Sequence, residues 1–181
     1  MRIFKLTFLL GLLIVLFAYF SVLDARVSES KEDFSRVVDG KDMLKIPSLN
    51  TSSDIVWFVD PWDTEEYLPV ISNSVAHAKQ SSLPGETGTV YLFGHSSSDY
   101  EKTTPVFFNL HTIAVGDLVS IHFNEVKYDY VVRSVTLVSQ NDIDYILGSK
   151  MSNGQSLAIQ SCDLDPYSGK RLLVFADRVY N

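Results

Sequence analysis

At 181 residues, 46% of them hydrophobic and 20% charged, the chain can bury one well-packed core, is too short for two full-sized domains, and is too apolar for disorder. Its formal net charge of −7 comes with no cluster of Lys and Arg, which excludes a nucleic-acid partner needing a basic face to neutralise phosphates.

The first element in chain order is residues 3–23, a mostly apolar run of the length, about twenty residues, that spans a bilayer as a helix. Arg2 and Lys5 precede its unbroken core, which predicts an anchor with the N-terminus in the cytoplasm and the remaining chain outside. A removed leader peptide would need a shorter apolar core and a small-x-small cleavage site, for which Leu23-Asp24-Ala25 is poor. Residues 24–42 shift to Ser, Glu, Asp, Lys and Arg and read as a polar stalk. The folded domain is expected over residues 43–181.

Within that domain the signals are mostly β. Short apolar or alternating runs fall at 55–59, 89–93, 117–123, 134–139, 156–161 and 172–179. Val119, Ile121 and Phe123 share one face, as do Tyr128, Tyr130 and Val132, with Asn124-Glu125 as the hairpin turn between them. Helical turns fit 72–78, 106–111 and 142–147, the last closed by Gly148. Many short strands separated by turns predict a mainly β chain, a closed or nearly closed barrel with short helices.

One thiol is present, Cys162. A lone cysteine is most often a small core hydrophobe, and outside the cytoplasm a single one cannot form an intrachain disulfide. Cys162 sits between polar Ser161 and Asp163 where the apolar run stops. Arg171 opens the next strand, and His95 follows another strand, flanked by Gly94 and by serines 96–98. This is the pattern of a thiol nucleophile with a distant imidazole base and a guanidinium for the oxyanion. His77, read as lying on a surface helix, His111 and His122 fit structural roles better. Lys170, next to Arg171, is expected on the opposite face of an extended strand.

The motifs, taken together, resemble those of the sortases, membrane-anchored cysteine transpeptidases. Met43-Leu44-Lys45-Ile46-Pro47-Ser48-Leu49 resembles the family's first strand. Ser74-Val75-Ala76-His77 and Leu83-Pro84-Gly85-Glu86-Thr87-Gly88 resemble the segment before its histidine. Tyr91-Leu92-Phe93-Gly94-His95-Ser96 matches its Gly-His motif, and Phe108-Asn109-Leu110 and Val115-Gly116-Asp117 match the stretch downstream. Ala158-Ile159-Gln160-Ser161-Cys162 stands where the family has Thr-Leu-x-Thr-Cys, and Lys170-Arg171-Leu172-Leu173-Val174 where it has its arginine. The resemblance implies a sortase-type β-barrel with Cys162 as nucleophile, His95 as the imidazole that handles the proton, Arg171 as oxyanion donor, and Ser161, Ala158 and Ile159 against the substrate. It implies no cofactor and no metal site. Asp60, Asp63, Glu65 and Glu66 could hold calcium, as in a few relatives, but read more plainly as a solvated face. Implied partners are surface proteins bearing a sorting signal and an amine acceptor, either a peptidoglycan precursor or a pilin lysine. Two other readings stand beside this one: a cysteine peptidase in which water resolves the thioester, and a non-catalytic membrane-tethered barrel with a buried thiol. Segment 83–88 superficially looks like a sorting signal itself, with one residue too many.

Overall fold

The computed structural model describes residues 42–96, 105–142, 154–165 and 167–180. Among them are eight strands: β1 (Met43–Ile46), β2 (Thr51–Val59), β3 (Val75–Ala78), β4 (Gly88–Phe93), β5 (Leu118–Phe123), β6 (Val126–Ser139), β7 (Gln155–Cys162) and β8 (Lys170–Val179), with one α-helix, α1 (Thr64–Ile71). The strands close into a barrel in the order β1-β2-β3-β4-β7-β8-β6-β5. Most neighbours are antiparallel; β2 with β3 and β4 with β7 run parallel. A closed mainly-β barrel is the expected fold. The expected membrane anchor lies outside the described residues, among which no helix is long and apolar enough to cross a membrane.

Alternation along the strands gives the wall two faces. One carries Leu92, Leu157, Ile159 and Val174, each 0% exposed, and fills the barrel. The other carries Tyr91, Phe93, Ala158, Leu173 and Phe175, and Tyr67 and Val70 of α1 pack against it, which makes it the outer face. β4 and β7 are therefore covered on both sides, as parallel strands usually are.

Local chemistry explains the turns. Asn124 and Glu125 both take left-handed backbone conformations, φ 48° and 65°, the geometry of a two-residue hairpin whose twist matches its strands. The Asn124 N–H donates to Asp42 Oδ1 (2.9 Å), and the Trp57 indole donates to Asp42 Oδ2 (3.0 Å). Asp42, assigned above to the stalk, is thus a buried pin between β2 and the β5–β6 turn, and burial pushes its carboxyl up from the ordinary value. At the far end of β8, the Arg178 guanidinium lies 5.1 Å from the Tyr128 ring centre and 5.7 Å from that of Tyr130.

Several predicted elements are corrected. The helical turn placed at 72–78 is not there: α1 ends at Ile71 and 75–78 is β3. The helix starts instead at Thr64 and is capped by Asp63, whose side chain accepts from the N–H groups of Glu65 and Glu66, while Glu66 Oε1 accepts from the Asp60 N–H (3.0 Å). Asp63 caps the helix end, where negative charge also suits the helix dipole, and Glu66 ties the preceding turn back to it. The runs read as separate strands at 128–132 and 134–139 are one strand, β6, with an extra residue at Arg133 where the β8 register shifts. Of the predicted turn at 142–147, the described part is a short 3-10 turn, Gln140–Asp142; the rest and Gly148 lie outside the described residues.

His77 is not on a surface helix but 0% exposed in β3. Its Nε2 meets the Ser82 carbonyl at 3.1 Å and Ser81 Oγ at 2.8 Å, and the Phe58 N–H points to Nδ1 at 3.5 Å. Burial pushes its pKa down to about 4, against a smaller opposing pull from the Ser82 carbonyl and Glu86. The unfolded chain takes up this proton near pH 6.5 and the folded one only near 4. Stability is therefore full above 6.5 and is lost as pH falls through that window, by an amount on the order of 3 kcal/mol. Urea unfolding between pH 7.5 and 4 should show this slope, and His77→Gln should flatten it; an unchanged slope in the variant would contradict the assignment.

Candidate active site

The site follows from strand register. β4 and β7 pair in parallel with Tyr91 opposite Ala158 and Phe93 opposite Gln160, and the Gly94 N–H continues the ladder to the Gln160 carbonyl (3.1 Å). Two residues further on, the same register brings His95 alongside Cys162. On the other side of β7, Cys162 pairs directly with Arg171 of antiparallel β8. Directly opposed residues on neighbouring antiparallel strands hold their Cβ atoms about 4.5–5.5 Å apart on the same face. His95, Cys162 and Arg171 therefore form one row across three adjacent strand ends, on the outer face, one step past the Phe93–Gln160–Leu173 row. Cys162 is half-buried, as are His95 and Arg171.

Burial pushes the His95 pKa below its ordinary value, which favours the neutral imidazole, the form that can take a proton, at pH 7. Arg171 Nη2 donates to Gln140 Oε1 (2.7 Å) and Nη1 to the Lys170 carbonyl (3.0 Å). Gln140 is itself tied to the β7–β8 loop by its N–H to the Gly169 carbonyl (3.0 Å). Two anchored N–H groups of five leave the guanidinium oriented, with three donors for a ligand. Lys170 pairs with Ser139 and by alternation lies on the other face.

Next to this row, a small cleft of about 50 Å³ is lined by Ser96, Phe107, His111, Ser161, Cys162, Asp163, Leu164 and Leu172. Cys162 borders it; His95 and Arg171 do not. Of the residues expected against substrate, only Ser161 reaches the cleft, and its hydroxyl points to the Cys162 carbonyl (3.2 Å). Ala158 and Ile159 are both 0% exposed, one in the cluster under α1 and the other inside the barrel. Neither can touch a ligand as placed; the sequence drew them in only as neighbours of the thiol. His111, set aside as structural, is exposed on the cleft with Nδ1 3.1 Å from the Phe108 carbonyl. Segment 83–88 precedes β4, roughly 20 Å of strand from His95, so it is no ligand of its own site.

A sequence model of the sortase domain matches residues 44–179. The chain belongs to the sortase family. Sortases are cysteine transpeptidases that anchor proteins or pilins. Sortase D of Bacillus subtilis is 24% identical over 140 residues, 76% of this chain. The chain spans only 63% of that relative's length. Among solved structures, a lid mutant of sortase A from Corynebacterium diphtheriae is 22% identical with a TM-score of 0.64, covering 77% of this chain and 70% of that one. Sortase C1 of Streptococcus agalactiae is 23% identical with a TM-score of 0.62, covering 77% and 67%. At these identities the two structures share the sortase barrel.

Two measurements check the geometry. An NMR titration should place the His95 midpoint below pH 6.5; a midpoint at or above 6.5 would contradict its burial. Gln140→Ala, which frees one side of the Arg171 fork, should lower kcat/KM about fivefold, the net worth of one ordinary exposed hydrogen bond. Circular dichroism should stay unchanged, and kcat/KM equal to wild type would show that Gln140 does not orient Arg171.

Proposed function

We propose that the chain is a cysteine transpeptidase in which Cys162, His95 and Arg171 are the catalytic residues and the acyl donor is a sorting-signal peptide. The observation that carries this reading is the single row of thiol, imidazole and guanidinium at one edge of the barrel. A half-buried rather than fully buried Cys162 also argues against a non-catalytic barrel with an inert thiol.

The chemistry is acyl transfer in two stages. Neutral His95 takes the Cys162 proton and the sulfur adds to the peptide carbonyl, whose oxyanion accepts hydrogen bonds from Arg171. The C–N bond breaks, the departing amine takes the proton from the imidazolium, and a thioester remains. An incoming amine then attacks the thioester, its proton passes to His95, and the thiol is released. The thioester conserves the peptide-bond energy, so no nucleotide is consumed and no cofactor is needed. Water in place of the amine would give a peptidase.

A Clostridium perfringens sortase C of similar fold has been solved with a C-terminal cell wall sorting motif (21% identical, TM-score 0.61). This supports the same class of donor here, with a peptidoglycan precursor or a pilin lysine as acceptor. The apolar run at residues 3–23 with its basic flank supports a single-pass anchor that holds the domain outside the cell membrane.

Mass spectrometry of a protein beginning near Ser30, incubated with sorting-motif peptides, should show an acyl adduct on Cys162 that an added amine converts to transpeptidation product. Cys162→Ala should abolish the adduct, and His95→Ala should slow it about 10²- to 10⁴-fold. Arg171→Lys should cost on the order of 10²- to 10³-fold, because an ammonium cannot reproduce the planar fork; Lys170→Ala should be nearly silent. Full acylation by His95→Ala, or a larger loss from Lys170→Ala than from Arg171→Lys, would contradict the residue roles. Hydrolysis unaffected by amine would favour the peptidase.

A further inference from the structure

We infer that Ser96 is a positioning residue, whose buried hydroxyl continues the β4–β7 ladder and so fixes His95 against Cys162. The inference rests on the proposed roles of those two residues.

The regular parallel pairing of β4 and β7 ends at Phe93 and Gln160, and the Gly94 N–H adds one more bond, to the Gln160 carbonyl. In a parallel ladder the next bond of this kind would run from the N–H of position 96 to the Cys162 carbonyl. There the chain turns away: the His95 carbonyl accepts from the Phe107 N–H (2.9 Å), and Gly94 admits the Phe107 ring, which a Cβ would meet at 3.0 Å. The missing bond is made by a side chain instead, the Ser96 hydroxyl donating to the Cys162 carbonyl at 2.8 Å. Ser96 is 3% exposed, so this bond is sheltered from competing water.

His95 is thereby held on both sides, through its own carbonyl to Phe107 and through its neighbour's hydroxyl to the residue carrying the thiol. Ser161 also donates to the Cys162 carbonyl, but at 3.2 Å and from the adjacent position on the same strand. It cannot link β7 to the histidine segment; Ser96 does so across 66 positions of sequence. Losing Ser96 leaves the carbonyl with one donor, so the fold survives while the spacing of imidazole and sulfur loosens. Proton transfer needs close placement of its partners, so the loss should appear in kcat rather than in substrate binding.

The test is a double-mutant cycle on Ser96 and His95, read by iodoacetamide alkylation of Cys162 and by kcat and KM with a sorting-motif peptide. Ser96→Ala should slow alkylation and lower kcat about tenfold, the scale of one sheltered hydrogen bond, with KM unchanged. In a His95→Ala background the same substitution should change alkylation by less than about twofold, because there is no imidazole left to position. Ser96→Thr, which keeps the donor, should remain within about threefold of wild type. An alanine variant within twofold of wild type, an equal loss with and without His95, or a threonine variant as slow as alanine would overturn the assignment. A wild-type protein that alkylates but never acylates would instead sink the transpeptidase reading, while the alkylation cycle would still decide the role of Ser96.

Discussion

The parallel pairing of β4 with β7 is the constraint on which the site depends. Two strands that run the same way finish at the same edge of a sheet, so His95, just past the end of one, and Cys162, the last residue of the other, arrive together. Antiparallel β8 then enters at that edge and presents Arg171 at its second position. Reversing either relation would move one of the three groups to the other end of the barrel. Register is equally strict. Slipping β7 by one residue would turn Cys162 into the barrel and Ser161 out of it, and the two-sided burial of β4 and β7 opposes any such slip.

The surrounding polar groups divide into those consumed by the fold and those spared for a ligand. His77 is fully committed: buried, neutral, and bonded between Ser81, Ser82 and Phe58. Asp63 and Glu66 are spent on backbone N–H groups at the start of α1. Asp129 accepts from Ser120 (2.6 Å) and Lys127 (2.9 Å); despite the upward push of burial, these partners hold its carboxyl below the ordinary range. At the row the balance is different. Arg171 is steadied by Gln140 and a backbone carbonyl yet retains free donors, and Cys162, half-buried beside the cleft, is fastened through its carbonyl.

Much of this was legible because the β signals are strong and the chemistry-bearing residues sit in compact motifs. The misses have physical reasons. Val75-Ala76-His77-Ala78 has only four residues, two of them alanines, and all four are buried, so no alternation marks it as a strand. The start of α1 carries a legible signal, Asp63 directly before Thr64, which reads as a surface acid but caps the helix. Pro69 inside the helix hid the rest. One bulge at Arg133 broke the period of β6 and split it in two. Ser96 and Gln140 were invisible for another reason. Each acts through one hydrogen bond to a group 66 or 31 positions away, and only tertiary register brings those groups within reach. Ala158 and Ile159 show the converse, since proximity in sequence to Cys162 says nothing about exposure when both faces of β7 are covered.

The most direct test of this account is a crystal structure of the domain with a thiol-bearing sorting-signal peptide mimic joined by disulfide to Cys162. The account predicts the trapped carbonyl on the outer face, within hydrogen-bonding distance of the Arg171 guanidinium and with the His95 ring beside the sulfur. A mimic that runs inward along Phe107 and His111, touching neither Arg171 nor His95, would contradict it.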